Sequence, residues 1–156
     1  NQMKEKNKVK KDYGISEKEF RNYVLDAEKL SLHKKFSPSL LIFINLETRL
    51  DNIVFRMGLS KTRRMARQTV SHGHILVNNK KINIPSHKVR INDLISIREG
   101  SKNTKLFINT INKEKDFKVV DWIDLDINKN EAKIISLPKE IEAGYDFAKI
   151  LEFYNK

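Results

Sequence analysis

Arg63, Arg64 and Arg67 crowd into one short stretch of the sequence. At helical spacing Arg63 and Arg67 are one turn apart and Arg64 lies three before Arg67, so all three should project from one side. The guanidinium fork suits bidentate contact with phosphate oxygens and stacking on bases. Residues 49–90 hold ten basic side chains, namely Arg49, Arg56, Lys61, Arg63, Arg64, Arg67, Lys80, Lys81, Lys88 and Arg90. Asp51 is the single acid there, which leaves +9 of the whole chain's +11 in one segment. A generic solvated surface would spread its charge, whereas a concentrated excess points to a polyanion. Aromatic residues are scarce on this face, so shape and phosphate recognition of folded RNA is expected rather than stacking of splayed bases.

Other groups could carry chemistry. His72 and His74 flank Gly73, with His87 downstream. A zinc site needs three or four ligands at defined spacing, usually with a Cys or carboxylate, and none is close by. His72 and His74 are therefore read as RNA contacts or turn-packing groups. Asp121, Asp124 and Asp126 surround Trp122, which reads as a solvated acidic surface around a core residue, or a face towards a basic neighbour. No glycine-rich phosphate loop, nucleophile elbow or paired-carboxylate arrangement is present, so no catalytic residue, metal or cofactor is expected.

The elements that must position these groups follow from periodicity. Residues 3–12 form a Lys-rich lead, read as an exposed helix interrupted by Gly14. Lys4, Lys6, Lys8, Lys10 and Lys11 would add phosphate neutralisation. Ser16-Glu17-Lys18-Glu19 is a capping box, and Phe20, Tyr23, Val24, Ala27 and Leu30 line one face of the helix it opens. Ser37-Pro38 starts another. From there Phe43, Leu46, Leu50, Ile53, Val54 and Met57 form one continuous apolar stripe up to Gly58. The arginine helix spans 61–72, with Ser60 as its cap, Gly73 as its stop and Met65, Ala66, Thr69 and Val70 on its apolar side.

Beyond Gly73 the period shortens to that of strands. Ile75-Leu76-Val77, the turn Asn78-Asn79 and the run 80–84 read as a hairpin. Further strands are expected at 94–98, 119–123 and 134–137, with a short terminal helix or strand at 150–154. Residues 116–156 reverse the charge, with nine acids against six lysines, a net of −3. The 156-residue chain contains no Cys, which excludes disulfides and thiolate zinc sites within it. Its longest apolar run, Leu40-Leu41-Ile42-Phe43-Ile44, falls far short of the roughly 20 residues of a membrane span. No signal peptide is visible.

Arg49-Leu50-Asp51-Asn52-Ile53-Val54-Phe55-Arg56-Met57-Gly58 resembles the opening of the RNA-binding domain of the small-subunit ribosomal protein S-four family. The run from Ala66 through His72-Gly73-His74 to Asn78 resembles that family's next block, with 82–86 and 93–99 following at its usual spacing. Residues 13–23 resemble its upstream helical segment and 150–154 its C-terminal end, so the likeness covers nearly the whole chain in order. Family members usually begin with a further stretch, sometimes carrying a zinc-binding Cys cluster, which this sequence does not contain. Asn78-Asn79 replaces the commoner Asn-Gly turn at a small conformational cost.

The resemblance implies an α+β protein in which a helical domain of residues 1–46, completed by 139–156, carries an inserted basic RNA-binding domain at 47–138, with its core motif at 49–98. It implies a structural constituent of the small ribosomal subunit that binds early in assembly at a multi-helix junction of the small-subunit rRNA. Ribosomal protein S-five and other small-subunit proteins would be neighbours, mRNA would pass nearby, and the setting would be the ribosome, in a bacterial cytoplasm by preference with a plastid or other organelle as the alternative. The expected RNA contacts are Arg49, Arg56, Lys61, Arg63, Arg64, Arg67, His72, His74, Lys80, Lys81, Lys88, Lys4, Lys8 and Lys11. Arg49-Leu50-Asp51 also resembles the catalytic triplet of some pseudouridine synthases. Here Asp51 falls inside an apolar-striped helix with no room for a separate catalytic domain, so it is read as a helix-stabilising or Arg-pairing residue. The alternative function is a stand-alone RNA-binding module of a translation quality-control or RNA-modifying factor.

Overall fold

The computed structural model describes residues 1–33, 36–142 and 144–155. Lys156 and Ala143, both in the expected 139–156 part of the helical domain, lie outside them, as do Lys34 and Lys35. Backbone contacts divide the chain into two compact units, residues 1–47 with 138–156 and residues 48–137.

The first unit is helical. Helix α1 (Gln2–Tyr13) ends at Gly14 in the left-handed conformation, φ 70°. It is not the wholly exposed lead expected: Lys6, Val9 and Tyr13 recur at helical spacing and are buried. The capping box forms at the start of α2 (Glu17–Ser31), where Ser16 Oγ accepts from Glu19 N at 3.1 Å. Phe20, Val24 and Ala27 are buried as the stripe requires, whereas Leu30 faces solvent. Helix α3 (Pro38–Glu47) is capped by Ser37 Oγ, which accepts from Leu40 N at 3.1 Å. Leu41, Ile42, Phe43 and Ile44 are all buried, the mark of a helix surrounded by others. The terminal segment is helical, α7 (Phe147–Tyr154), and contributes Phe147 and Ile150 to this core.

Polar groups tie these helices together. Tyr13 donates to the buried Glu47 at 2.5 Å. Lys6 is bonded to Glu17, and Tyr154 donates to the same carboxylate at 2.5 Å. Burial opposes ionisation of Glu17, yet the bonds from Lys6 and Tyr154 and the charge of Lys10 outweigh it and hold the carboxyl below its ordinary value.

In the second unit, the stripe read as one helix from Pro38 to Met57 is two. The helix breaks at Thr48-Arg49, where Arg49 takes extended angles (φ −68°, ψ 140°) before α4 (Leu50–Arg56) begins. The 85–89 segment satisfies the backbone at the break: Val89 N donates to Thr48 O at 2.8 Å, and Leu50 N donates to His87 O at 2.9 Å. Helix α5 (Arg63–Ser71) follows. Strands β1 (Ile75–Val77), β2 (Lys80–Lys81), β3 (Leu94–Ile97), β4 (Ile123–Asp126) and β5 (Glu131–Ile134) form an antiparallel sheet in the order β2-β1-β3-β5-β4. A short helix α6 (Lys105–Ile108) lies between β3 and β4.

The last two strands sit three or four residues from where they were expected. The hydrophobic runs at 119–123 and 134–137 suggest strands, but pairing is set by the turn between them. Asp126 Oδ1 accepts from Asn128 N and Lys129 N at 3.0 and 3.1 Å, and Asn130 adopts φ 52°. That side-chain turn fixes the register at Asp126↔Glu131. Leu50, Ile53, Val54 and Met57 from α4, and Ala66 and Val70 from α5, pack with Ile75, Ile95, Ile97, Trp122 and Ile134 into one core. The α+β class read from the sequence is the class observed, and Trp122 is a core residue as expected. Among the described residues no helix is long and apolar enough to cross a membrane.

Candidate nucleic-acid interface

The burial of Ala66, Thr69 and Val70 turns the opposite side of α5 outward, leaving Arg64, Arg67 and Gln68 exposed. The cap is Thr62, whose Oγ1 accepts from Met65 N at 3.1 Å, and not Ser60. Ser60 is instead buried against Thr69. Met65, expected on the apolar side, is 43% exposed. Two arginines in the first turn stand at the positive end of the helix dipole, an unfavourable place that a bound anion would relieve.

The three arginines do not form one uniform face. Arg63 leans onto α4: its Nε donates to Asn52 Oδ1 at 2.9 Å, and its guanidinium covers the Phe55 ring at 4.5 Å. Arg56 approaches the same ring at 6.0 Å. Arg63 is thus partly a structural link, while Arg64 and Arg67 are the outward cations.

Arg49 requires a correction. Expected as an RNA contact, it is 1% exposed and pairs with Asp51, so it has no surface to offer. The same pair bears out the Arg-pairing reading of Asp51.

The hairpin forms as read, though its second strand stops at Lys81 rather than running to 84. Asn78 and Asn79 both take positive φ, 51° and 66°, the conformation of a two-residue hairpin turn. Asn78 is pinned from both ends: its Nδ2 donates to Asp93 Oδ1 and its Oδ1 accepts from Leu94 N, each at 2.9 Å. The turn holds Lys80 and Lys81 exposed. Gly73 takes φ 80°, and a Cβ there would lie 3.3 Å from the Lys81 stem. The stem of Lys81 therefore passes close to the residue that follows the C-terminal turn of the arginine helix.

His72 is exposed, whereas His74 is half-buried. The His74 Nδ1 is 2.8 Å from Ser101 Oγ and its ring meets the Phe107 ring edge-on at 6.0 Å. Burial, then the charges of Arg98 and His72, hold its imidazole below the ordinary value, so it is a neutral packing group rather than a cation at neutral pH. Among the described residues no three His, Cys, Asp or Glu side chains are grouped to hold a metal ion.

Lys61, Lys88 and Arg90 are exposed in the second unit. Lys4, Lys8 and Lys11 are exposed on α1, in the helical unit. Lys8 Nζ donates to Gly144 O at 2.6 Å, while Lys10 points towards Glu17 at 3.7 Å. Lys6, buried and bonded to Glu17, is withdrawn from the surface set. Sequence reasoning missed Phe55 as the ring under Arg63 and Arg56, and Phe117 as the ring against Gly58. Phe117 approaches Gly58 only through the fold, so no local spacing could have revealed it.

A basic helix pair closed by a hairpin on a small antiparallel sheet defines the class, and residues 48–95 match the S4 domain family. The chain is 41% identical to the small ribosomal subunit protein uS4 of Oenococcus oeni, with 99% of this chain and 74% of that one covered. It is 40% identical to the uS4 protein of Halothermothrix orenii, with 99% and 74% covered, and 40% identical to that of Streptococcus thermophilus, with 99% and 75% covered. The chain belongs to the uS4 family.

Proposed function

We propose that this chain is a structural constituent of the small ribosomal subunit that binds small-subunit rRNA through the outward face of α5 and the adjoining hairpin. The observation that carries the reading is the exposure of Arg64 and Arg67 on α5 and of Lys80 and Lys81 on the hairpin, with the Lys81 stem passing close to Gly73 at the end of α5. Arg56, Lys61, Arg63, His72 and Lys88 extend this surface, and Lys4, Lys8 and Lys11 supply further phosphate contacts from α1. The helical unit formed by both chain ends acts as a second domain, and residues 48–137 act as the RNA-binding one. The role is architectural rather than catalytic: Asp51 is buried and neutralised by Arg49, which leaves it unable to act on a substrate.

In this reading the protein joins a multi-helix rRNA junction early in assembly. It lies beside ribosomal protein S-five, near the channel through which mRNA enters, in the ribosomes of a bacterial cytoplasm. Co-sedimentation with intact small subunits is the test, with one copy per subunit expected. Binding to an isolated small-subunit rRNA fragment should weaken steeply with salt, since each neutralised phosphate releases about 0.7–0.9 counterion. Sub-stoichiometric occupancy, or an affinity indifferent to salt, would count against the proposal.

A further inference from the structure

The Phe117 ring rests against Gly58, where an added Cβ would fall 2.7 Å from a ring carbon. Gly58 also adopts φ 73°, so the position excludes larger residues both by strain and by collision. Phe117 and Phe55 thereby wall a notch of about 270 Å³ beside the turn from α4 to α5. Arg56, Lys61 and Lys118 line the same notch, with Lys61 and Lys118 exposed. Phe55 is also the platform on which Arg63 lies, which makes the notch continuous with the α5 surface.

We infer that the notch takes one unstacked nucleobase of the bound RNA, its ring against Phe55 and Phe117 and its phosphate beside Lys61 and Lys118. The inference rests on the RNA-binding reading above and adds a base-level contact to it. The volume lies just below the roughly 300–1,000 Å³ of pockets that enclose drug-sized ligands, which suits a single ring system. Apolar walls favour a flat ring, and any base can stack on an aromatic face. The cations favour the anionic backbone that comes with it. A short peptide segment would find the apolar walls but no use for this concentration of positive charge.

Phe117→Leu in the full chain keeps the apolar bulk and removes the aromatic face. Its affinity for small-subunit rRNA should fall about 5- to 150-fold, the equivalent of one lost base stack. The slope of affinity against salt should be unchanged, because no phosphate contact is lost. Phe117→Trp should keep the affinity. A second arm uses the wild-type complex and is independent of how the variants fold. Under ultraviolet irradiation, a peptide carrying Phe55 or Phe117 should cross-link to a single nucleotide. Wild-type affinity in folded Phe117→Leu, or cross-links that avoid both phenylalanines, would overturn the notch while leaving salt-dependent binding by α5 standing. A wild-type chain that bound no rRNA would overturn both readings.

Discussion

Arg49 grips Asp51 with both arms of its guanidinium: Nε donates to Oδ1 and Nη2 to Oδ2, each at 3.0 Å. Both side chains are almost fully buried. The pair sits where the apolar stripe of the sequence is interrupted, at the extended residue that separates α3 from α4. A charge left alone there could not be rehydrated without opening the structure.

Arg49→Ala should therefore destabilise the 48–137 unit by about 3–5 kcal/mol, the cost of stranding a buried partner. Chemical denaturation monitored through Trp122 would read it, since that residue lies in the same core. RNA affinity of the molecules that remain folded should be unchanged. A selective loss of affinity at full stability would mean that Arg49 reaches the ligand after all.

Arg64→Ala combined with Arg67→Ala should leave folding within roughly 0.5 kcal/mol per site, because both side chains are exposed. The log–log salt slope of rRNA binding should fall by about 1.4–1.8 if each arginine neutralises one phosphate. Arg63→Ala should behave differently and lose stability as well, because it removes a bond to Asn52 and the cover of Phe55. Thermal melting beside filter binding would separate the two effects.

Asn79 stands at φ 66° in the hairpin turn, where a β-branched residue is sterically penalised. Asn79→Val should cost about 1–2 kcal/mol and reduce RNA binding through misplacement of Lys80 and Lys81. Asn79→Gly should retain both stability and affinity. Equal behaviour of the two variants in a melting experiment would show that the turn does not set the position of the lysines.

His74 is held below its ordinary 6.5 by burial and by the nearby charges of Arg98 and His72. The unfolded chain takes up a proton near pH 6.5 that the folded chain resists. The stabilising contribution is thus complete above that pH and declines as pH falls from 6.5 towards the lowered folded value. His74→Gln should remove this part of the acid sensitivity in a stability–pH profile. A profile identical to the wild type would place the titration elsewhere.

The features legible in the sequence were those that depend on near neighbours. The capping box at Ser16 and Glu19, the Asn78-Asn79 turn and the outward side of α5 all follow from spacing of a few residues, and each appears in the structure. The charge concentration needed only counting. The apolar runs at 119–123 and 134–137 do not coincide with the strands, because the register is decided by the Asp126 side-chain turn.

By itself the sequence determined the α+β class, the basic module and its family, since composition, periodicity and ordered motifs carry those directly. Tertiary structure alone decided which cations are available. Arg63, Arg64 and Arg67 look alike at helical spacing, yet contact with Asn52 and Phe55 draws the first inward. Arg49 and Lys6 look like surface charges, yet both are buried: Arg49 lies at the helix break to which the 85–89 segment bonds, and Lys6 meets Glu17 of the next helix. Whether a charge faces water or a partner depends on what packs over it, and that depends on chain segments brought together only when the protein folds.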